Sequence, residues 1–134
     1  MIINNIEKLK KSLNSNDLSI YLFHGVIKSK LKNNSVRNYN FKHINQKIFE
    51  KYIRFLSNNG EAITLNDIFG KNLKFRNKYI ITFDDGFYNN YKYALPILKK
   101  YNIIDKVIRI IPKYKILSLS PRCNMKARMY FLMI

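Results

Sequence analysis

Two apolar segments, each followed at once by a polar turn, constrain this chain more than any other feature. Residues 18–23 (Leu-Ser-Ile-Tyr-Leu-Phe) end at residues 24–25 (His-Gly), and residues 79–83 (Tyr-Ile-Ile-Thr-Phe) end at residues 84–86 (Asp-Asp-Gly). Both runs have the length and the aromatic and apolar content of strands. Because a helical pattern follows each of them along the chain, we expect βα units around a mostly parallel sheet.

Three segments have the apolar spacing of an amphipathic helix. The first lies within residues 3–13, where lysines separate the apolar positions. The second begins at Ile44, and residues 59–60 (Asn-Gly) supply its stop. The third covers residues 89–100, where Pro96 either kinks the helix or lies in its first turn. We therefore predict three packed helices.

Shorter elements are predicted between these helices. The polar residues 28–40 favour a loop, and residues 62–65 favour a short strand. Asn66 or Asp67 can cap a brief helical turn that closes at Gly70.

The strongly basic composition bears on possible partners. The chain carries 25 Lys and Arg against 8 Asp and Glu, a net charge of +17, which favours polyanionic partners. However, the basic residues are scattered, and 20 Ile, 19 Lys and 18 Asn, all with AT-rich codons, indicate an AT-rich genome. We expect no specific nucleic-acid partner, only weak association with polyanions at low salt.

Several classes of protein are excluded by simple counts. The 134 residues are enough for one domain, and the single cysteine, Cys123, cannot form an internal disulfide. No apolar run approaches the roughly 18–20 residues that span a bilayer. The first residues lack the order of a signal peptide, so we expect a cytoplasmic protein with no transmembrane segment.

The adjacent carboxylates Asp84 and Asp85 are the strongest candidates for chemistry. They follow a buried strand directly, where α/β enzymes keep their active sites. One carboxylate can bind a divalent metal while its neighbour takes a proton from metal-bound water. The alternative is an Asp-Gly hairpin turn, but residues 87–90 lead into a helical pattern rather than a second strand. The sequence therefore favours a site.

These residues carry a resemblance to a known family. Residues 82–86 (Thr-Phe-Asp-Asp-Gly) resemble the first signature motif of polysaccharide deacetylases with the NodB-homology domain. Residues 24–26 (His-Gly-Val) resemble the Tyr-His-x-Val segment of one branch, with Phe23 in place of the tyrosine. Residues 49–67 resemble the family's helix, short strand and turn, and residues 94–101 resemble its Ala-Leu-Pro helix.

The resemblance, which covers about residues 17–103, implies a fold and an activity. The fold is α/β, a deformed (β/α) barrel, and the activity is metal-dependent hydrolysis of N-acetyl groups on an amino-sugar polysaccharide. In this family Asp84 would be the general base, and Asp85 would bind the divalent metal, usually zinc. His24 would lie at the rim of the active site, with no assigned role. We expect His43 to be exposed and Cys123 to be inert.

The chain also departs from the family. It has two histidines, both before Asp84, so the family's His-x-x-x-His metal motif and its later motifs are missing. The composition changes near Ile104. We therefore expect an amphipathic helix over residues 1–16, the N-terminal part of the domain over residues 17–103, and an atypical basic tail over residues 104–134. An out-of-frame tail would explain the change, and a genuine short protein is the alternative.

The sequence thus predicts a partial barrel, truncated after the first catalytic motif, in a polysaccharide deacetylase-like protein. Because two zinc ligands are missing, we expect no stably bound metal and no activity from this chain alone. Two alternatives stay open: a small basic protein that binds nucleic acid or another polyanion, and a non-catalytic glycan-binding pseudoenzyme.

Overall fold

A computed structural model describes residues 5–28, 42–68, 74–84, 87–109 and 127–131. Most of the predicted loop at residues 28–40 lies outside these ranges, as do Gly70, Asp85 and Cys123. Within them the chain is a mixed α/β fold with parallel strands and no closed barrel.

Five strands form the main sheet, and every neighbouring pair in it is parallel. The strands of the described residues are β1 (Leu18–Phe23), β2 (Gly25–Ile27), β3 (His43–Asn45), β4 (Glu61–Ala62), β5 (Lys78–Phe83), β6 (Val107–Arg109) and β7 (Ala127–Phe131). β5 pairs with β1 on one side, and on the other side with β4 at its start and β6 at its end. β7 pairs with the far side of β1, while β2 and β3 form a separate parallel pair.

Helices follow the strands as the sequence predicts. They are α1 (Ile6–Leu13), α2 (Gln46–Asn59), α3 (Leu65–Ile68) and α4 (Leu95–Lys100), with a π-helical turn at Asn90–Ala94 and a 3₁₀ turn at Ile104–Lys106. Asn5 and Asn45 cap α1 and α2 by accepting a hydrogen bond from a backbone N–H in the first turn. Gly60 ends α2 by donating its N–H to the carbonyl of Leu56. Local caps therefore define both long helices.

Three predicted boundaries are wrong. The short strand predicted over residues 62–65 is β4 at Glu61–Ala62, because Leu65 already begins α3. Ile44 lies in β3 rather than in α2, because Asn45 is the cap and strand pairing with β2 takes the residues before it. The cap of α3 is Thr64 rather than Asn66 or Asp67. The Thr64 hydroxyl accepts from the backbone N–H of Asp67, and the Asp67 carboxylate accepts from the backbone N–H of Thr64. This reciprocal pair is a capping box.

Pro96 lies in the first turn of α4, the second of the two predicted positions. Proline has no N–H, and its ring crowds the carbonyl four residues earlier, so it fits only where the preceding turn is widened or absent. The π-helical turn supplies that space: the N–H of Leu95 donates to the carbonyl of Asn90, five residues back. Consequently Asn90 lies at an irregular turn beside the end of β5.

The core lies on the face of the sheet that α1, α2 and α4 cover. Alternate residues of β1 and β5 point into it, and the rings of Phe23, Phe49 and Phe83 contact one another there. The opposite face carries a smaller cluster, which contains Leu18, Ile63, Ile68 and Ile80. Burying each such side chain fully contributes about 1.5–3 kcal/mol, so the larger cluster dominates stability.

The segment after Ile103 contributes strands to the sheet. β6 (Val107–Arg109) is parallel to the end of β5. β7 was not predicted; it pairs with β1 over residues 127–131. Its apolar signal is Met129, Tyr130 and Phe131, after the charged Arg128. Whether this segment belongs to the original reading frame stays a prediction.

Among the described residues, none of the helices combines the length and the apolar character needed to cross a membrane.

Candidate functional site

The carboxyl ends of β1 and β5 place two predicted site residues side by side. The strands are parallel and in register through Phe23 and Phe83, so the next residues, His24 and Asp84, leave the sheet together. The backbone N–H of Asp84 donates to the carbonyl of Phe23 at 3.2 Å. The His24 Nδ1 and Asp84 Oδ1 atoms are 2.6 Å apart. Strand register alone therefore brings the histidine to the carboxylate.

The contact between His24 and Asp84 fixes the position of one proton. An ionised carboxylate can only accept hydrogen bonds, so the contact is favourable when Nδ1 carries the proton. The two side chains are 17% and 26% exposed, and the contacting atoms themselves are buried. Because Oδ1 is buried against the imidazole, Oδ2 is the oxygen that can face a ligand or a water molecule.

Two asparagines from the turn after β5 connect this pair to the rest of the fold. Asn90 donates from Nδ2 to the carbonyl oxygen of His24 at 2.9 Å. The Oδ1 atoms of Asn89 and Asn90 are buried and have no hydrogen-bond partner in the described part of the chain. An unsatisfied buried acceptor costs about 1–3 kcal/mol, so each of these oxygens is expected to accept a hydrogen bond from a water molecule or a ligand.

His43 is buried, at 7% exposure, so the prediction that it is exposed is wrong. The reason is the pairing of β2 with β3, which places His43 directly opposite Gly25. A Cβ on Gly25 would lie 2.1 Å from the Nδ1 atom of His43, so the imidazole fills the space that glycine leaves. That ring also lies 3.3 Å from the Asn89 amide and packs edge-on against Phe87. The position supports the turn that carries Asn89.

A cavity of about 600 Å³ lies at the end of β5, where Phe83, the residue before Asp84, forms part of its wall. It lies between the turn after β5, α4 and β6, and Phe83 and Asn90 contribute to its wall. Three aromatic side chains at its border are exposed: Phe87 at 40%, Tyr88 at 73% and Tyr91 at 61%. We call these three residues the aromatic shelf. Ten described residues line the cavity, and none of these ten is charged.

The described residues do not fit a zinc ion. A structural or catalytic zinc takes three or four donors at about 2.0–2.3 Å, which sets neighbouring donors about 3.4 Å apart in a tetrahedral site. Nδ1 of His24 and Oδ1 of Asp84 are 2.6 Å apart, too close to share an ion. Within the described ranges there is no group of three His, Cys, Asp or Glu side chains that could hold a metal. Asp85, the predicted metal ligand, lies outside those ranges.

Sequence reasoning therefore found His24 and Asp84 but not their contact, nor the supporting roles of Asn89, Asn90 and His43. The sequence did carry a signal for the contact. His24 and Asp84 each follow a predicted strand, and parallel strands are expected to end at the same edge of a sheet. The sequence carried no such signal for His43, since its position depends on the β2–β3 register.

Comparison of the chain with protein-family models, with curated proteins and with solved structures finds no match. The functional argument therefore depends on the site itself.

Proposed function

We propose that this chain is a polysaccharide deacetylase-like protein whose ligand is a glycan of N-acetylated amino sugars. The observation that carries the proposal is the His24–Asp84 contact at the carboxyl ends of β1 and β5. A carboxylate held by an imidazole at this edge of a parallel sheet is a typical general base. The described lining of the cavity at the end of β5 is uncharged, which suits an uncharged sugar better than a phosphate.

Asp84 would act as the base in the proposed reaction. Its Oδ2 atom would accept the proton of the water molecule that attacks the acetamide carbonyl. His24 would hold the carboxylate in place through Oδ1, so that no reorientation is needed when the proton moves. Asn90 would in turn hold the backbone of His24.

In the proposed family, the divalent metal, usually zinc, would be bound partly by Asp85 and would polarise the acetamide. The described residues supply no complete donor set for it. We therefore propose that this chain alone neither holds zinc stably nor releases acetate at a measurable rate.

A second candidate is a glycan-binding protein without catalysis. The observation that favours it is the 2.6 Å contact, which leaves no space for an ion between His24 and Asp84. Both candidates require the same ligand, and they differ in whether Asp84 acts as a base once a complete set of metal ligands is supplied.

The test is a calorimetric or NMR titration with two neutral tetrasaccharides. Tetra-N-acetylchitotetraose and cellotetraose have the same linkage and differ at the acetamido group, so their difference isolates recognition of that group. We expect the chain to bind the first and to bind the second at least tenfold more weakly. Asp84→Asn removes the charged acceptor, and we expect it to weaken chitotetraose binding about tenfold.

Asp105→Asn is the matched control, because Asp105 is exposed and loses the same charge. It is expected to bind chitotetraose as the wild-type chain does. Equal affinity for both tetrasaccharides, or equal loss in Asp84→Asn and Asp105→Asn, would refute the proposed ligand. Acetate release on addition of Zn²⁺, above the background of Asp84→Asn, would instead refute the claim that the chain is inactive alone.

A further inference from the structure

The aromatic shelf is the surface feature of the described residues that the fold explains least. Four large hydrophobic side chains are exposed in the described chain, and three of them are Phe87, Tyr88 and Tyr91. The other aromatic side chains whose exposure is described are buried or half-buried. The exposed ones all lie within residues 87–91, shortly after Asp84. Exposed apolar surface that is concentrated in this way marks an interaction site.

The geometry of the shelf suits a flat ring. Tyr88 and Tyr91 are three residues apart at the start of a helix, which places them on one side of it. Their ring centroids are 6.0 Å apart and their planes are inclined by 34°, so together they form a shallow surface. Both rings border the 600 Å³ cavity, a volume within the range of small-ligand sites.

Nucleobases and sugar rings both stack on tyrosine, and the charge around the site discriminates between them. Nucleic-acid sites combine aromatic rings with cations that track the phosphates. Here the described residues that line the cavity carry no charge, although the chain has 25 Lys and Arg. The nearest lysine in sequence, Lys92, lies 5.4 Å over the ring of Tyr93 instead. A neutral pyranose ring, whose C–H face packs on aromatic rings, therefore fits the shelf better than a nucleobase.

The shelf is continuous with the His24–Asp84 pair. Asn90 lies between Tyr88 and Tyr91 in the chain, lines the cavity and donates to the carbonyl of His24. A glycan with one sugar at the carboxylate would extend its next units along the cavity toward the rings.

We propose that Tyr88 and Tyr91 form a second sugar subsite, which stacks a neutral pyranose unit next to the N-acetylated unit at Asp84. This inference rests on the proposed function. It makes affinity depend on oligosaccharide length, because a monosaccharide at Asp84 does not reach the shelf.

The experiment compares N-acetylglucosamine with tetra-N-acetylchitotetraose on the wild-type chain and on Tyr88→Ala/Tyr91→Ala. Each stacked ring contributes about 0.5–1.5 kcal/mol, or about twofold to twelvefold in affinity. We expect the double variant to lose roughly tenfold or more for the tetrasaccharide and nothing for the monosaccharide. Tyr88→Phe/Tyr91→Phe keeps both rings and is expected to retain the wild-type preference for the longer ligand.

Leu65→Ala is the control for loss of exposed apolar area, since Leu65 is 45% exposed and does not line the cavity. It is expected to leave both affinities unchanged. If the tetrasaccharide binds the double alanine variant as tightly as the wild-type chain, the shelf is not a sugar subsite, although the proposed function stands. If the wild-type chain binds neither sugar, the proposed function fails first and the subsite with it.

A deoxythymidine oligonucleotide serves as the competing probe. We expect its weak binding to be the same for the wild-type chain and the double alanine variant, because scattered lysines cause it. If the alanine variant loses oligonucleotide binding and keeps tetrasaccharide binding, the shelf stacks bases and the sugar subsite is refuted.

Discussion

Between Tyr79 and Tyr91 the chain passes from the buried middle of the sheet to its carboxyl edge, and its aromatic side chains change surroundings. Tyr79, Ile81 and Phe83 lie within the main core, whereas Tyr88 and Tyr91 face solvent. Folding explains the first group, because its apolar area is removed from water. It does not explain the second group, which gives up that stabilisation. The difference separates residues retained for packing from candidates for binding.

Phe49→Ala tests the packing side of this comparison and has the largest expected effect. The ring is fully buried and contacts both Phe23 and Phe83. Removal leaves a cavity under α2, so we expect a loss of about 3–5 kcal/mol in the free energy of unfolding. Urea denaturation measures it, with Tyr88→Ala as the exposed counterpart, expected within about 0.5 kcal/mol of wild type. Equal losses of unfolding free energy in the two variants would show that Tyr88 contributes to packing as Phe49 does, which would contradict this account.

Gly25→Ala tests how tightly Gly25 packs against His43, which supports the turn at the carboxyl edge of the sheet. The new methyl group would meet the His43 imidazole, so we expect a loss of about 1–3 kcal/mol in stability. Gly25→Ala/His43→Ala relieves the clash, and the double variant is expected to be less destabilised than the sum of the single variants. Additive losses would mean that the two residues do not touch.

Tyr21→Phe and Tyr79→Phe form a matched pair within the core. The hydroxyl of Tyr21 shares a 2.8 Å hydrogen bond with Ser12, whereas that of Tyr79 is buried without a partner in the described part of the chain. Burial accordingly raises the pKa of Tyr79 above its usual value. We expect Tyr21→Phe to lose about 1 kcal/mol and Tyr79→Phe to gain up to that amount. Thermal unfolding of both variants decides the sign, and a loss in Tyr79→Phe would contradict this account.

The surface pair between Glu50 of α2 and Lys100 of α4 gives the smallest expected effect. The hydrogen bond from Lys100 lowers the pKa of Glu50 below its usual 4.5. The pair therefore stabilises the fold fully at pH values above the pKa of Glu50 in the unfolded chain. This contribution is lost as the pH falls through the lowered pKa of Glu50 in the folded chain. Glu50→Gln is expected to lower the melting temperature slightly at pH 7 and not at pH 3. Asp105→Asn, which removes an exposed charge outside this pair, is the control, and a difference that persists at pH 3 would exclude the ion pair as its cause.

Local pattern was enough to predict β1, β5, the two long helices and the places of His24 and Asp84 at the ends of strands. These predictions succeeded because strand composition, helical spacing and caps act over a few residues. What could not be predicted depends on pairing between distant segments: β7 beside β1, β3 beside β2, and so the burial of His43. The aromatic shelf was also missed, because Tyr91 fits the apolar spacing of a buried helix face while the π-helical turn changes that spacing. The fold stays at the level of a mixed α/β sheet, and the barrel of the resembled family stays a prediction.

The most direct test of the proposed site is the NMR signal of the His24 imidazole during addition of tetra-N-acetylchitotetraose. The account predicts a proton on Nδ1 and a change in the ring nitrogen and carbon shifts that saturates with this ligand, is absent with cellotetraose and is weakened in Asp84→Asn. A His24 ring that does not respond to the N-acetylated ligand, or that responds equally to both tetrasaccharides, would contradict it.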